Sequence, residues 1–433
     1  MKKIFRIFLM LITTIAICSF TSLQNKILIT VDDVNNKYID VNFFDDLSNS
    51  FFGQSVAISG NYAIIGAPRY TSGSFVNMGT AYVFEKTTVG WKQLERLAAS
   101  DSASGDRFGC AVAISGDYAV AGSCTKTVNG NKGQGKIYVY KRSGMKWLTD
   151  TSFIKTNGTM NDYFGWSVAV SAFNNSGPSI AVSIPYSDAA GTDKGEVDIY
   201  TKDITTGKWS LRQNIIPADV SNEAHFGSAI SMDTNYLSIG APGDGDKGAA
   251  YILMHGGTAW SLQQKITGVS PNAKFGFSVS ISGDQLAVGA PFAATGENIS
   301  AAVSVYQRKG NAWNLTNSLS VNKSFVGNTM MNFGMAVAIN GNDLVIGAPG
   351  GTDFPNGETY YNREVHGTVY FFKTYNGTNF FLMQSINSGF SVGGDCYGEA
   401  VCLDSGNYLI GNPHATLVGS TLAGASNFGE IGE

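Results

Sequence analysis

The stretch "FGFSVSISGDQLAVGAP" (275–291) decides the fold of this chain. Read as two strands, it points Val279 and Ile281 to one face. Ser278 and Ser280 point to the other face, and they are small rather than charged. A strand with one face in water alternates apolar residues with clearly polar ones. The pattern therefore predicts a hairpin that is buried on both faces, turned by Ser-Gly-Asp and ended by Gly-Ala-Pro.

The same hairpin recurs along the chain. Its aromatic-glycine pairs begin at 52, 108, 164, 226, 275, 333 and 397. A third run such as "GTAYVFEK" follows in six copies, and then comes a fourth run. That fourth run opens on an aromatic residue, which in order is Trp91, Trp147, Trp209, Trp260, Trp313 and Phe380. Each unit therefore contains four short strands, A to D.

Polarity rises from strand A to strand D, as expected of a β-propeller blade whose inner strands lie between neighbouring blades. An open stack of repeats would instead need capping ends. The last unit keeps only strands A and B (397–413) before a short tail, and the segment 26–44 precedes the first hairpin at the distance of a D strand. The sequence predicts an all-β, seven-bladed propeller of four-stranded blades, closed by the N-terminal segment pairing with the last blade through one or two strands.

The pattern "xFGxSVAISGDxxxxGAP" resembles the FG-GAP repeat, the unit of the seven-bladed propeller in integrin α-subunits. Residues 101–122, "DSASGDRFGCAVAISGDYAVAG", are similar to the short variant of secreted bacterial proteins. Calcium-binding blades of integrins carry an Asp-x-Asp-x-Asp-Gly loop between strands A and B. Here the A–B turns are short, for example "SGN" and "SGD", so they predict chain reversal without metal. We expect no cofactor, and only Asp244 and Asp246, in "GDGDKG" (243–248), offer a weak cation site.

The N-terminus has the form of a secretory signal peptide, with basic residues before a short apolar run. We expect a leader at 1–21 and a single propeller at 22–433, without a transmembrane segment and located outside the cytoplasm, in the periplasm or at the surface. Cys18 suggests a lipid anchor as an alternative, although Ile17 stands where such sites have a small residue. The net charge of −4 and the lack of a basic stripe argue against a nucleic-acid partner. Cys110 and Cys124 flank a hairpin and form either a disulfide or two buried thiols.

Strand A begins and strand B ends at the same end of each hairpin, so the D–A and B–C loops share one face of the propeller. Variable loops on a rigid scaffold usually carry recognition, and in the integrins that this chain resembles this is the ligand face. The B–C loops offer aromatic residues and one arginine: Tyr70, Phe75, Tyr186, Phe292, Phe354, Tyr360, Tyr361 and Arg363. The positions before the aromatic-glycine pairs add Arg107, Tyr163, His225 and Lys274. The alternative is that these side chains only pack or solvate their own loops.

These features predict a secreted or cell-surface adhesion module that binds an extracellular protein or glycan without catalysis. A hydrolase or lyase is the first alternative, because Glu399 is the only charged residue directly after an aromatic-glycine pair. Glycosidases need two carboxylates that face each other across the substrate. A structural component of an envelope or matrix is the second alternative. The identity of the ligand and the oligomeric state stay open at this stage.

Overall fold

The computed structural model of the chain describes residues 28–29, 41–44, 50–172, 177–293, 299–322, 332–350, 367–387, 396–414 and 425–430. The residues in these ranges form 29 β-strands in antiparallel sheets. Within the same ranges, no helix combines the length and the apolar composition needed to cross a membrane. The expected all-β propeller of four-stranded blades is confirmed. The leader and Cys18 lie outside the described residues.

Six sheets have four strands each, in the chain order expected of propeller blades. Their innermost strands, A, are β3 (Ser55–Ser59), β7 (Val112–Ser115), β11 (Val168–Ser171), β15 (Ala229–Met232), β19 (Ser278–Ser282) and β23 (Ala336–Asn340). The B strands are β4 (Tyr62–Ala67), β8 (Tyr118–Ser123), β12 (Ser179–Ile184), β16 (Tyr236–Ala241), β20 (Gln285–Ala290) and β24 (Asp343–Ala348). The B strands are almost wholly buried because they have sheet neighbours on both sides and blades on both faces.

The outer strands carry the polarity. The C strands are β5 (Thr80–Thr87), β9 (Lys136–Ser143), β13 (Glu196–Lys202), β17 (Ala249–His255), β21 (Ile299–Lys309) and β25 (Thr368–Thr374). The D strands are β6 (Gly90–Leu97), β10 (Lys146–Phe153), β14 (Trp209–Ile215), β18 (Trp260–Thr267), β22 (Ala312–Asn322) and β26 (Phe380–Asn387). The register shifts within every C–D pair, and such bulges increase strand twist toward the rim.

The seventh hairpin belongs to a sheet of a different size. Its strands are β27 (Ala400–Asp404), β28 (Asn407–Asn412), β29 (Ala425–Glu430), β2 (Val41–Phe44) and β1 (Leu28–Ile29), in that order across the sheet. The expected count of seven four-stranded blades was wrong, since six blades have four strands and this sheet has five. The difference arises because the N-terminal segment contributes two strands, with β2 antiparallel to β29.

The apolar core is divided among the interfaces between neighbouring sheets. Each of seven apolar clusters joins two of them, from blades 1 and 2 onward. One cluster packs Leu409 of β28 and Cys402 of β27 against blade 1. Another packs Tyr408 of β28 against Val345 and Phe371 of blade 6. The five-stranded sheet therefore packs against blade 6 on one side and blade 1 on the other.

Small residues set how closely the inner strands approach each other. A Cβ added to Gly289 would lie 2.1 Å from the carbonyl oxygen of Gly334 in the next blade. The same close contact links Gly66 to Gly109, Gly122 to Gly165, Gly240 to Gly276, Gly347 to Gly398 and Gly411 to Gly53. In blade 3 the glycine is replaced by Ser183, which faces Gly227. At the six sheets that keep this glycine, the spacing of the sheets therefore leaves no room for a side chain.

The inner serines bond to the next sheet. Ser278 Oγ donates to Gly334 O at 2.7 Å, and Ser280 Oγ accepts from Ile339 N at 3.0 Å. The opposite face of the same strand, with Val279 and Ile281, packs into the cluster shared with blade 4. This explains why strand A has an apolar face and a small polar face, although each face contacts a neighbouring sheet.

Candidate functional site

The aromatic-glycine pair forms a tight turn at the start of every A strand. The residue before the pair accepts a hydrogen bond from the N–H three positions later, and the glycine has a φ between 84° and 96°. A positive φ at the third position of such a turn favours glycine. The residue before the pair is also left-handed in all seven copies, which are Phe51, Arg107, Tyr163, His225, Lys274, Asn332 and Cys396.

This turn is tied to the start of the B–C loop. In blades 1, 4 and 5 the residue after Gly-Ala-Pro donates its N–H to the carbonyl of the residue two before the aromatic, as Arg69 does to Ser50 and Phe292 does to Ala273. Three positions of each sheet belong to these two loops, and we call them the loop-face triplet. They are the residue before the aromatic-glycine pair, the residue after the pair and the residue after Gly-Ala-Pro.

The triplets differ sharply in chemistry. In blades 1 to 3 they are Phe51, Gln54 and Arg69; Arg107, Cys110 and Thr125; and Tyr163, Trp166 and Tyr186. In blades 4 to 6 they are His225, Ser228 and Gly243; Lys274, Phe277 and Phe292; and Asn332, Met335 and Gly350. In the five-stranded sheet the triplet is Cys396, Glu399 and His414. The scaffold is therefore repeated, while the residue types at the triplet positions are not.

The blade 3 triplet is a cluster of three aromatic rings. Tyr163 lies 6.0 Å from Trp166 and 5.3 Å from Tyr186, measured between ring centroids, and Trp166 lies 6.1 Å from Tyr186. Tyr186 also packs on His225 of blade 4 at 4.6 Å. All four side chains are half-buried. Edge-to-face contacts between rings in this range are favourable, and they restrict the motion of each ring.

The surroundings of His225 favour its neutral form. Burial lowers the pKa of His225 below its usual value, and the Lys274 ammonium lowers it further. Asp193 and Glu223 oppose that shift without reversing it. Lys274 is exposed. In the same triplet of blade 5, the ring centroids of Phe277 and Phe292 are 6.0 Å apart. The aromatic surface of blade 3 is therefore bordered by the His225 imidazole, whose neutral form is favoured, and the Lys274 ammonium lies near that imidazole.

The triplet of the five-stranded sheet brings together a thiol, a carboxylate and an imidazole. Ligand atoms of Cys396, Glu399 and His414 all lie within 4.8 Å of one another. His414 Nε2 is 3.9 Å from Glu399 Oε2. Cys396 and His414 are buried, and Glu399 is half-buried. The His414 ring packs on Phe51 of blade 1 at 4.4 Å.

Several expected ligand-face residues have other positions. Tyr70 is buried in the core of blade 1, where the Arg96 guanidinium bonds to its hydroxyl. Phe75 is exposed, and Arg107 is an exposed member of the blade 2 triplet. Tyr163, Tyr186, His225, Lys274, Phe292 and Glu399 belong to the triplets. Phe354, Tyr360, Tyr361 and Arg363 lie outside the described residues.

The acidic cluster at 243–248 does not present two carboxylates together. Asp244 is buried, its Oδ2 lies 2.9 Å from Lys265 Nζ, and it accepts a hydrogen bond from the Tyr251 hydroxyl. Burial would raise the pKa of Asp244, but these hydrogen bonds lower it below the usual value. Asp246 is exposed. Asp244 therefore serves an internal ion pair, which argues against the cation site considered from the sequence.

The disulfide considered from the sequence is not formed, and Cys110 and Cys124 are free thiols. Cys124 N–H donates to Cys110 Sγ at 3.1 Å. The pKa of Cys124 is raised by a side-chain hydrogen bond with Cys110 and by burial. The pair is therefore held as two hydrogen-bonded thiols beside the blade 2 turn.

One pair of adjacent carboxylates, on strand β13, was not predicted from the sequence. Glu196 and Asp198 lie on one face of β13, and both bond to Lys155 and Asn214. Ser187 donates to Glu196 at 2.6 Å. Their side chains are 3% and 1% exposed, so they form a closed ion network. The spacing of Glu and Asp in "GEVDIY" could have predicted the pair, because residues two positions apart on a strand point to the same face.

Comparison with known proteins fits this geometry. A family model described as "FG-GAP repeat" matches residues 45–84, 91–140, 209–253, 260–306 and 326–372, together more than half of the chain. The chain belongs to the FG-GAP repeat family. Among solved structures, this FG-GAP protein is similar to Saccharomyces cerevisiae Sqt1, at 11% identity over 85% of this chain and 82% of that chain. The TM-score of 0.45 is too low to support an argument.

The family match also separates the repeats of the FG-GAP protein. The hairpins that start near 164 and 397 lie outside the matched segments. They carry the aromatic triplet of blade 3 and the Cys396, Glu399 and His414 triplet. The two repeats outside the family match are therefore the two with the most distinctive loop-face chemistry.

Proposed function

We propose that this FG-GAP protein is a secreted or surface-exposed recognition and adhesion module that binds an extracellular protein or glycan on its loop face. The observation that carries the proposal is the cluster of Tyr163, Trp166 and Tyr186, extended by His225. The rings are half-buried, held by one another and supplied with O–H and N–H groups. Tyr and Trp are enriched among the residues that dominate binding energy at interfaces.

We propose that the scaffold for this surface is a closed ring of seven sheets. The five-stranded sheet packs between blades 6 and 1, and Gly411 meets Gly53 as the other inner glycines meet their partners. A closed ring holds loops from different sheets at fixed separations, which lowers the entropic cost of binding. The leader-like N-terminus and the family match support a location outside the cytoplasm.

Catalysis is not part of this proposal. Glu399 is the one carboxylate in the seven triplets, and its neighbours are a thiol and an imidazole. A glycosidase site needs a second carboxyl group within about 10 Å, across the substrate. The carboxylates of Glu196 and Asp198, which do lie together, are closed off by Lys155 and Asn214.

The test is binding of the mature chain to a printed array of oligosaccharides and to a panel of extracellular matrix proteins. We expect selective binding that drops at least tenfold in the Trp166→Ala and Tyr186→Ala variants, since each removes a ring that others support. Tyr375→Ala is the matched control, because Tyr375 is an exposed aromatic residue in the C–D turn of blade 6, away from the loop face. Binding to neither array, or an equal loss in all three variants, would contradict the proposal.

A further inference from the structure

The triplet of Cys396, Glu399 and His414 has the donor set of a transition-metal site. Thiolate and imidazole ligands select Zn²⁺ and neighbouring first-row metals, and carboxylates complete many zinc sites. Calcium and magnesium prefer oxygen ligands alone. The three side chains come from two segments, 396–399 and 414, which the turn and the end of strand β28 bring together.

The spacing of the ligand atoms is close to that around one ion. Bonds of about 2.0 to 2.3 Å in a tetrahedral zinc site put ligand atoms roughly 3.3 to 3.7 Å apart. His414 Nε2 and Glu399 Oε2 are 3.9 Å apart, and no pair among the three exceeds 4.8 Å. The separations therefore exceed those around one ion by about 1.5 Å at most.

The surroundings restrict the ligands to this region. The left-handed φ of Cys396, +56°, fixes where its side chain leaves the turn. Packing on Phe51 limits rotation of the His414 ring. Cys396 and His414 are buried, with 0% and 3% exposure, which shields a metal–sulfur bond from solvent. Across the described residues, this is the one group of three or more potential metal ligands that lies close enough to share an ion.

We propose that Cys396 Sγ, His414 Nε2 and Glu399 Oε2 bind one Zn²⁺-class ion. This site is separate from the aromatic surface of blade 3, and the proposal does not depend on the recognition function.

The test is equilibrium dialysis of the chelator-treated mature chain against Zn²⁺ alone, with the bound metal measured by mass spectrometry. We expect one bound equivalent per chain and a higher thermal unfolding temperature with the metal, because an ion that binds only the folded state stabilises it. Replacement of Zn²⁺ by Co²⁺ should give a thiolate-to-metal charge-transfer absorption. Absence of a bound equivalent at micromolar free Zn²⁺ would overturn the proposal.

Substitution of each proposed zinc ligand tests its assignment. Cys396→Ser, His414→Gln and Glu399→Gln should each lower Zn²⁺ affinity at least tenfold, and Cys396→Ser should also abolish the Co²⁺ charge-transfer absorption. Cys402→Ser and His255→Gln are the matched controls outside the triplet and should retain full affinity. Near-ultraviolet circular dichroism verifies the fold of each variant, and the two Gln variants remain decisive if Cys396→Ser does not fold. Unchanged affinity in a folded triplet variant, or an equal loss in the controls, would contradict the assignment.

Discussion

Glycine and serine residues of the inner hairpin decide how closely neighbouring sheets pack. A Cβ atom added to Gly289 would lie 2.1 Å from the carbonyl oxygen of Gly334 and 2.3 Å from Ser278 Oγ. Side chains in a packed interior have little room to move, so an extra methyl group must displace the backbone of the next blade. The Ser278 hydroxyl, which bonds to that same carbonyl group, would be displaced with it.

Gly289→Ala should therefore lower the free energy of unfolding by about 3 kcal/mol or more, as overpacking of a tight interior does. Gly256→Ala is the matched control, because its nearest atom is Ala259 O at 3.5 Å and its φ is not left-handed. The control should change stability by less than about 1 kcal/mol. Urea unfolding followed by fluorescence measures both, and equal effects would show that the sheets are not in contact at this glycine.

Sequence patterns identified part of the loop-face chemistry and misplaced the rest. The residue before each aromatic-glycine pair was expected on this face, and Tyr163 and His225 lie there. The position after Gly-Ala-Pro was recognised only where it is aromatic, as in Tyr186. Tyr70, one residue further on, points into the core. The hydrogen bond that ties the two loops joins residues distant in sequence, so the local pattern did not reveal which position of the loop is exposed.

The outer strands hold the sheets together through one recurring contact. The side-chain amide of Gln264 on β18 accepts from Trp313 N at 2.8 Å and donates to Trp313 O at 3.1 Å on β22. Gln213 does the same to Trp260. The Trp313 ring packs on Tyr236 of the preceding blade, at 5.4 Å. The recurring tryptophan position was predictable from the sequence. The pair of hydrogen bonds from the glutamine amide to the tryptophan backbone, which we call the amide clamp, was not, because it depends on the register between sheets.

Gln264→Met should lower the free energy of unfolding by about 2 kcal/mol, because it removes two hydrogen bonds and leaves a half-buried backbone N–H without its partner. Methionine keeps the length of the side chain, so lost packing is a minor part of the effect. Ser261→Ala on the same strand is the control, since Ser261 is exposed, and it should cost about 0.5 kcal/mol or less. Thermal and urea unfolding should give the same ranking of the variants. An unchanged free energy of unfolding in Gln264→Met would show that the amide clamp does not stabilise the fold.

At the scale of the whole molecule, the two ends of the described chain meet in one sheet. The seven repeats predicted the propeller because each hairpin needs a sheet on both faces. The number of strands in the last sheet was not predictable from the repeat, since the N-terminal segment does not share its pattern. Pairing of β2 with β29 joins positions separated by nearly the whole sequence. The proposed closure leaves none of the described blades at an open end, which is how propellers limit exposed edges.

The most direct test of this closure is a cross-link between the two chain ends. Asn42 and Asn427 are directly opposite each other in the β2–β29 ladder. Opposite residues of antiparallel strands have Cα atoms about 4.5 to 5.5 Å apart, within disulfide range. The Asn42→Cys/Asn427→Cys variant should form a disulfide under mild oxidation, identified by mass spectrometry of its peptides. The Asn42→Cys/Phe428→Cys control should form little, because adjacent positions of a strand face opposite sides. Absence of the engineered disulfide in the folded variant, or equal linking in the control, would contradict a ring closed by the N-terminal strands.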